Sequence, residues 1–286
     1  MEISDLMLFR WVGYDIEKPK CAHHPANKRP ALQDIPDLTK EAIERYLSFL
    51  LDALDPKKGL KIGAFSNADR VGPSTPATSP LPCLFFTEQA AGNSEKHWSL
   101  YGRLGFGFSK RFIYQCGGRP GIYTQGDAAD PIVAAEERLR KLEAKARAQK
   151  RKGFGGQLEL LARFIKCTKL PGLQKPEQPR AARKRAAKPE FRQCDYPKHN
   201  PIRFLSEREW RLLVDTDSNR FHEIKGNGRD AGWWFRPKLG LELQMIILPN
   251  NYFLKKAMSC DVVRKRLSED SKQPVQLISA QALQKL

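Results

Sequence analysis

Hydrophobic and polar residues alternate most regularly in residues 204–214, which read Phe-Leu-Ser-Glu-Arg-Glu-Trp-Arg-Leu-Leu-Val. A period of two is typical of a strand whose two faces lie in different surroundings. In such a strand Glu207, Glu209 and Arg211 project from one face. The opposite face then carries Arg208, Trp210, Leu212 and Val214.

Two interpretations of the charged face remain open. Its Glu and Arg side chains either make solvated cross-strand pairs of little energy, or they line a cleft. In a cleft, a carboxylate oriented by a neighbouring charge can stabilise a developing cation or accept a proton.

Other apolar patterns predict the elements around this strand. A first strand is predicted at 6–12, and a helix with one apolar face at 37–54, capped by Thr39 or Asp37. Asp130-Pro131 predicts a helix start, and residues 157–168 predict a second helix that forms a hairpin with the first. Further strands are predicted at 84–87, 121–124, 220–224, 233–235, 243–248 and 274–278, and a further helix at 251–267.

These elements predict an α+β fold whose short, mostly antiparallel strands form a split, twisted sheet. Residues 1–129 are the N-terminal part of the domain, and residues 204–286 are its C-terminal part. Residues 130–203 between them are a basic helical insert followed by a flexible linker. Residues 180–188 lack any large apolar side chain, so this linker cannot bury enough surface to order itself.

The formal net charge of +18 is concentrated in the insert. Residues 138–192 contain 18 Lys and Arg against four acidic residues, whereas the rest of the chain is close to neutral. Such a segment favours a polyanionic partner, which we take to be DNA or RNA bound through its phosphates. A solubilising tether is the alternative. The residues predicted to contact nucleic acid are Arg147, Lys150, Arg151, Lys152, Arg180, Arg183, Lys184, Arg185 and Lys188.

Several classes of protein are disfavoured. There is no run of about 18 apolar residues and no basic leader, so we expect a cytoplasmic protein without a membrane partner. The six cysteines are scattered without a CxxC pair, as in reduced thiols, and no zinc spacing predicts a metal site. Neither GxGxxG nor a Walker A loop is present.

Arg10 is the only charge in the apolar first strand. A charge inside such a run is costly unless it is paired or faces a cleft, which makes Arg10 a candidate site residue. The alternative is an edge-strand arginine that reaches solvent.

Six segments occur in an order that resembles a known family. They are Leu8-Phe-Arg-Trp-Val-Gly13, Pro82-Cys-Leu-Phe-Phe-Thr-Glu88, His97 before Tyr101-Gly-Arg-Leu-Gly-Phe-Gly-Phe-Ser-Lys110, Gly117-Gly-Arg-Pro120, Glu207-Arg-Glu-Trp-Arg211 and Ile246-Ile-Leu-Pro249. Together they resemble the AbiGi family of bacterial abortive-infection proteins. The resemblance implies an antiphage or toxin–antitoxin setting, with a cognate toxin or antitoxin as a partner. By weaker similarity, the layout resembles ADP-ribosyltransferases of the DarT kind, although Arg10 stands where many relatives have His.

The second resemblance implies NAD as the substrate and nucleic acid as the acceptor. Glu209 would stabilise the positive charge that develops on the ribose, and Glu207 would orient the acceptor or a ribose hydroxyl. Arg10 would hold a diphosphate or ribose oxygen. Tyr101 would stack on nicotinamide, and Gly102 would let the backbone approach the cofactor.

Arg211 completes the cofactor-binding set that this resemblance implies. The alternative function is a non-catalytic nucleic-acid-binding antitoxin or interaction protein with a basic arm. A nuclease is disfavoured because the sequence has no dense cluster of Asp, Glu and His. The enzymatic interpretation expects the acidic face of residues 204–214 to look into a pocket shared with Arg10, and not outward to bulk water. NAD consumption that is lost in Glu209→Gln would support the enzyme, and salt-sensitive nucleic-acid binding that survives this substitution with NAD intact would support the binding protein.

Overall fold

The computed structural model describes residues 7–13, 16, 38–64, 82–88, 102–124, 131–149, 164–167, 208–215, 217–227, 229–269 and 274–283. The strands are β1 Met7–Val12, β2 Leu60–Lys61, β3 Gly63–Ala64, β4 Pro82–Thr87, β5 Leu104–Ser109, β6 Arg119–Pro120, β7 Ile122–Thr124, β8 Ile165–Cys167, β9 Glu209–Leu213, β10 Phe221–Ile224, β11 Gly232–Phe235, β12 Leu243–Leu248 and β13 Gln276–Ser279. The helices are α1 Lys40–Leu54, α2 Lys110–Gln115, α3 Pro131–Ala148, α4 Asn251–Ser259, α5 Asp261–Glu269 and α6 Ala280–Leu283. The predicted α+β class is confirmed.

The main sheet contains eight of the described strands, in the order β13-β12-β5-β1-β4-β9-β6, with β3 beside β4. Its neighbouring strands are antiparallel except for the β12–β13 pair, which is parallel. The predicted mostly antiparallel sheet is therefore confirmed. Strand β9, which the alternating pattern predicts, has hydrogen-bonded neighbours on both sides.

The two faces of the main sheet pack against different helices. On one, here called the α1 face, sheet residues meet residues of α1 and α4. The buried members include Leu8, Phe86, Phe106, Phe108, Ile246, Tyr46, Leu50 and Phe253. On the other, here called the α6 face, a smaller cluster contains Met7, Phe9, Trp11, Met245, Ile247, Ala280 and Leu283. Because both faces of β1 and β12 are covered, their sequences read as apolar runs and not as alternation.

Helix α1 forms where its apolar spacing predicts. Thr39, not Asp37, is the N-cap, and its hydroxyl accepts a hydrogen bond from the backbone N–H of Ala42 at 3.1 Å. Strands β10, β11 and β2 form a second, antiparallel sheet that adds Phe221, Phe235 and Leu60 to the core on the α1 face. No helix within the described ranges is long and apolar enough to cross a membrane.

Two helix predictions need correction. Residues 165–167, expected to end the second helix of a hairpin, form β8, which pairs in parallel with β7. Leucine spacing over so short a run does not separate helix from strand, and here the backbone N–H of Ile122 bonds the carbonyl of Phe164 at 2.6 Å. The helix expected at 251–267 is two helices, α4 and α5, which meet at Cys260. The remainder of the expected hairpin's second helix lies outside the described residues.

Candidate functional site

Strand β9 carries the candidate carboxylate into the interior of the main sheet. Glu209 pairs with Thr87 of β4, and Arg211 pairs with Phe85 of the same strand. Because the residues are two apart, their side chains share one face, as the alternating pattern predicts. That face is the α6 face, since Thr87 also pairs with Phe9 of β1.

Glu209 and Arg211 form a buried ion pair. The Nε of Arg211 donates a hydrogen bond to Oε1 of Glu209 at 2.7 Å. Arg211 is 0% exposed and Glu209 is 8% exposed. The guanidinium carbon of Arg211 also lies 5.6 Å from the centre of the Phe85 ring. The free energy lost when both charges leave water is about as large as the free energy gained from their attraction. Such a pair is therefore weak evidence for stability, and we treat it as a candidate functional feature.

A hydroxyl and an indole adjoin this pair across the sheet. The Trp11 Nε1 donates to the Thr87 hydroxyl at 3.2 Å, and that hydroxyl donates to the Phe9 carbonyl at 3.4 Å. Gly105 leaves room for the indole, because a Cβ there would lie 2.5 Å from a Trp11 ring carbon. Indole, hydroxyl and carboxylate therefore occupy neighbouring strands β1, β4 and β9.

Gly121 packs closely against Glu209 of β9. Its backbone N–H donates to the Glu209 carbonyl at 2.7 Å, which brings the chain after β6 alongside β9. A Cβ at position 121 would lie 3.3 Å from that carbonyl oxygen and 3.9 Å from Oε1. A side chain at position 121 would therefore crowd the backbone of Glu209 and approach its carboxylate.

The expected pocket shared by Arg10 and Glu209 does not form, and that expectation is wrong. Phe9 and Glu209 both pair with Thr87, so their side chains lie on the α6 face. Arg10 is the next residue along β1 and pairs with Phe106, a core residue of the α1 face. The two side chains therefore project from opposite faces of the sheet, because neighbouring residues of a strand always do.

Gly102 packs against the end of β1. Its φ is +97°, and a Cβ would lie 2.3 Å from the Val12 carbonyl oxygen and 2.6 Å from the Gly13 Cα. The glycine is thus required by the close approach of the end of β1, and its predicted role in cofactor binding stays a prediction. Two other predicted site residues, Tyr101 and Glu207, lie outside the described residues.

Replacing Gly102 by alanine is expected to destabilise the fold by about 2–4 kcal/mol, through the strained φ together with the collision with Val12. Urea denaturation followed by circular dichroism measures the change. Gly117→Ala is the matched control, because Gly117 has a φ of +92° but no atom within 4 Å of an added Cβ. Equal losses in the two variants would contradict the steric account.

Sequence reasoning missed a group of polar and charged side chains around the Glu88 carboxylate, at the end of β4. Glu88 accepts a hydrogen bond from Trp210 Nε1 at 2.9 Å and forms an ion pair with Lys110. The guanidinium of Arg208, whose φ is +40°, lies 3.7 Å from the same carboxylate. Trp210 and Arg208 flank Glu209 in sequence. Their contacts with Glu88 therefore fix β9 against β4 on the α1 face. The signal for this group was present, since Arg208 and Trp210 share one face of the alternating pattern.

Cys83 lies on the same face of β4 as Thr87, and its thiol is unreactive. The residue is fully buried on β4, and burial raises the pKa of its thiol to about 12. A thiol in that state is neither a nucleophile nor a metal ligand at neutral pH.

The predicted nucleic-acid contacts lie almost wholly beyond the described residues. Arg147 belongs to α3, and the other eight are outside the described ranges. Within α3, the side chains of Arg138, Lys141 and Lys145 are exposed. Comparison of the chain with protein-family models, curated proteins and solved structures finds no match.

Proposed function

We propose that this protein transfers ADP-ribose from NAD to nucleic acid, with Glu209 as its catalytic carboxylate. The proposal takes the α+β sheet as an ADP-ribosyltransferase-like fold and places the protein in the antiphage setting that its resemblance implies. The observation that carries it is the buried Glu209–Arg211 pair on the interior strand β9. Glu209 pairs with Thr87 of β4, whose hydroxyl accepts from Trp11 of β1.

The chemistry matches a carboxylate in low-dielectric surroundings. When the bond between nicotinamide and ribose breaks, its electron pair leaves with the nicotinamide nitrogen and positive charge develops on the ribose. A fixed carboxylate stabilises that charge more strongly than it stabilises NAD itself. A nucleophilic atom of the acceptor then bonds to the ribose carbon, and its proton passes to solvent. The products are neutral nicotinamide and the ADP-ribosylated acceptor.

Arg211 acts as a positioning residue. Its hydrogen bond to Oε1 fixes the orientation of the Glu209 carboxylate. Arg10 has no part in this proposal, because it lies on the opposite face. Tyr101 and Glu207 keep the roles that the resemblance implies, stacking on nicotinamide and orienting the acceptor.

The acceptor follows from the distribution of charge. The basic insert carries most of the net charge, and α3 presents exposed Arg138, Lys141 and Lys145. Phosphate contacts of this kind attract any nucleic acid without reading its sequence. They would therefore concentrate DNA or RNA near the sheet, and the site would select the atom that is modified.

Incubation with NAD labelled in its adenylate moiety tests the proposal. The purified protein is mixed with cellular DNA, RNA and protein, and the three fractions are then separated and counted. We expect label in a nucleic-acid fraction together with free nicotinamide. Label confined to intact NAD, with every acceptor fraction present, would contradict the proposal.

A second candidate function is a non-catalytic nucleic-acid-binding antitoxin or interaction protein. The specific observation in its favour is that Glu209 and Arg211 bond each other, as two residues with a purely structural role do. This candidate predicts binding that weakens steeply with salt, equally in the wild type and in Glu209→Gln, while NAD stays intact. The labelling experiment therefore separates the two functions.

A further inference from the structure

Arg10 lines a cavity on the α1 face, away from Glu209. The cavity has a volume of about 140 Å³. Its apolar wall consists of Val12, Phe49, Leu60, Phe106 and Trp234. Its polar lining consists of Arg10, Asp52, Lys61 and Arg229. An apolar pocket with a few convergent polar groups is the usual form of a small-molecule site.

A wider cleft of about 490 Å³ adjoins this cavity, and Asp52 and Arg229 line both. The cleft adds the charged side chains of Lys58, Lys225 and Asp230. The two spaces together have five basic and two acidic side chains in their lining. A concave surface with this surplus of positive charge attracts an anionic ligand.

The two acidic side chains are already neutralised by protein partners. Asp52 accepts from Lys58 Nζ at 3.1 Å and from an Arg229 nitrogen at 3.2 Å, and Asp230 accepts from Lys58 at 2.8 Å. They therefore oppose an incoming anion less than free carboxylates would. Lys225 is exposed at the rim of the cleft, where it can meet a phosphate.

The inner cavity suits one flat ring. Three aromatic side chains wall it, namely Phe49, Phe106 and Trp234. Cations already lie against two of these rings, with the Arg229 guanidinium carbon 6.0 Å from the Phe49 ring centre and Lys61 Nζ 5.7 Å from that of Trp234. Aromatic and guanidinium planes are the surfaces on which nucleobases stack. A cavity of roughly 150 Å³ holds a benzene-sized ring, so the volume favours a single ring over a purine.

We propose that this cavity binds the base of a pyrimidine nucleotide, whose phosphate lies on the basic rim of the adjoining cleft. The ligand is either a free nucleotide or an unpaired base within a strand. The site is independent of the proposed transfer reaction, because it lies on the opposite face of the sheet and its test uses no NAD. It would remain if NAD proved not to be a substrate.

Calorimetric titration of the full chain with uridine 5′-monophosphate tests the proposal. We expect saturable binding that is at least about tenfold tighter than the binding of uridine, which lacks the phosphate, or of ribose 5-phosphate, which lacks the ring. Adenosine 5′-monophosphate is expected to bind more weakly than the uridine nucleotide. Short oligouridylate distinguishes the two sources: tighter binding than the mononucleotide indicates an unpaired base in a strand, and weaker binding indicates a free nucleotide.

Charge reversal at one lysine provides the matched comparison. Lys225→Glu is expected to weaken binding of uridine 5′-monophosphate about tenfold, because the rim loses a cation that meets the phosphate. Lys255→Glu, at an exposed position on α4 outside both spaces, makes the same change in net charge and is expected to leave the affinity unchanged. Phe49→Leu, which keeps an apolar wall but removes a ring, is expected to weaken binding of uridine 5′-monophosphate and not of ribose 5-phosphate.

Three results would overturn the inference. One is the absence of saturable binding of uridine 5′-monophosphate by the folded protein. Another is an affinity for ribose 5-phosphate equal to that for uridine 5′-monophosphate, which would mean that the cavity does not bind the base. The third is an equal loss in Lys225→Glu and Lys255→Glu, which would reduce the binding to general attraction by a basic protein.

Discussion

Replacing Arg211 by methionine is expected to lower the free energy of unfolding by about 3–5 kcal/mol. The guanidinium is 0% exposed and donates to Glu209 Oε1 at 2.7 Å. Without it, a carboxylate that is itself buried loses its opposite charge while water cannot replace it. Urea denaturation of the wild type and the variant, followed by far-ultraviolet circular dichroism, measures the difference.

Arg208→Met is the control for this substitution. Arg208 adjoins the same strand, but its side chain is 70% exposed and lies 3.7 Å from Glu88, so its loss should cost no more than about 1 kcal/mol. Combining Arg211→Met with Glu209→Leu is expected to recover most of the lost stability, since an apolar pair replaces the ion pair. A cost for Arg211→Met as small as that for Arg208→Met would show that the pair is hydrated.

Local pattern predicted many of the elements and the faces of individual strands. The period of two in residues 204–214 is enough to place Glu209 and Arg211 side by side, whatever the rest of the sheet does. Likewise, the apolar spacing of α1 and the hydroxyl of Thr39 specify a helix and its start without tertiary contacts. These predictions succeed because each depends on residues within a few positions of one another.

Relations between strands could not be predicted in this way. Whether Arg10 shares a face with Glu209 depends on the register of β1 with β4 and of β4 with β9, and a shift of one residue reverses the answer. The role of Gly102 depends on the Val12 carbonyl, a neighbour far away in the chain. The same holds for Glu88, whose partners Lys110 and Trp210 belong to two other segments.

The separation of Arg10 from Glu209 divides the expected single cleft into two regions. On the α6 face, the ion pair, Thr87 and Trp11 provide a carboxylate in a protected setting. On the α1 face, Arg10 belongs to a basic, aromatic cavity of different chemistry. One region suits a developing positive charge, and the other suits a base with a phosphate. The proposed transfer of ADP-ribose to nucleic acid would use both regions.

Replacing Glu209 by glutamine is expected to reduce NAD cleavage by about 10²–10³-fold, because the amide cannot stabilise the positive charge on the ribose. Glutamine keeps the shape of glutamate, and its amide oxygen can still accept from Arg211 Nε, but the substitution removes the negative charge beside a buried guanidinium. We therefore expect a folded variant with a lowered free energy of unfolding. Nicotinamide release at saturating NAD measures the rate, and the unfolding transition confirms that the variant is folded.

The most direct measurement is nicotinamide release by the wild type, Glu209→Gln and Glu242→Gln in parallel, with cellular nucleic acid present. Glu242 is another buried carboxylate paired with an arginine, Arg220, so it matches Glu209 in burial and charge but not in position. We predict release by the wild type and by Glu242→Gln, and near-complete loss in Glu209→Gln. Intact NAD with all three proteins, or equal release by all three, would contradict the assignment of Glu209 as the catalytic carboxylate.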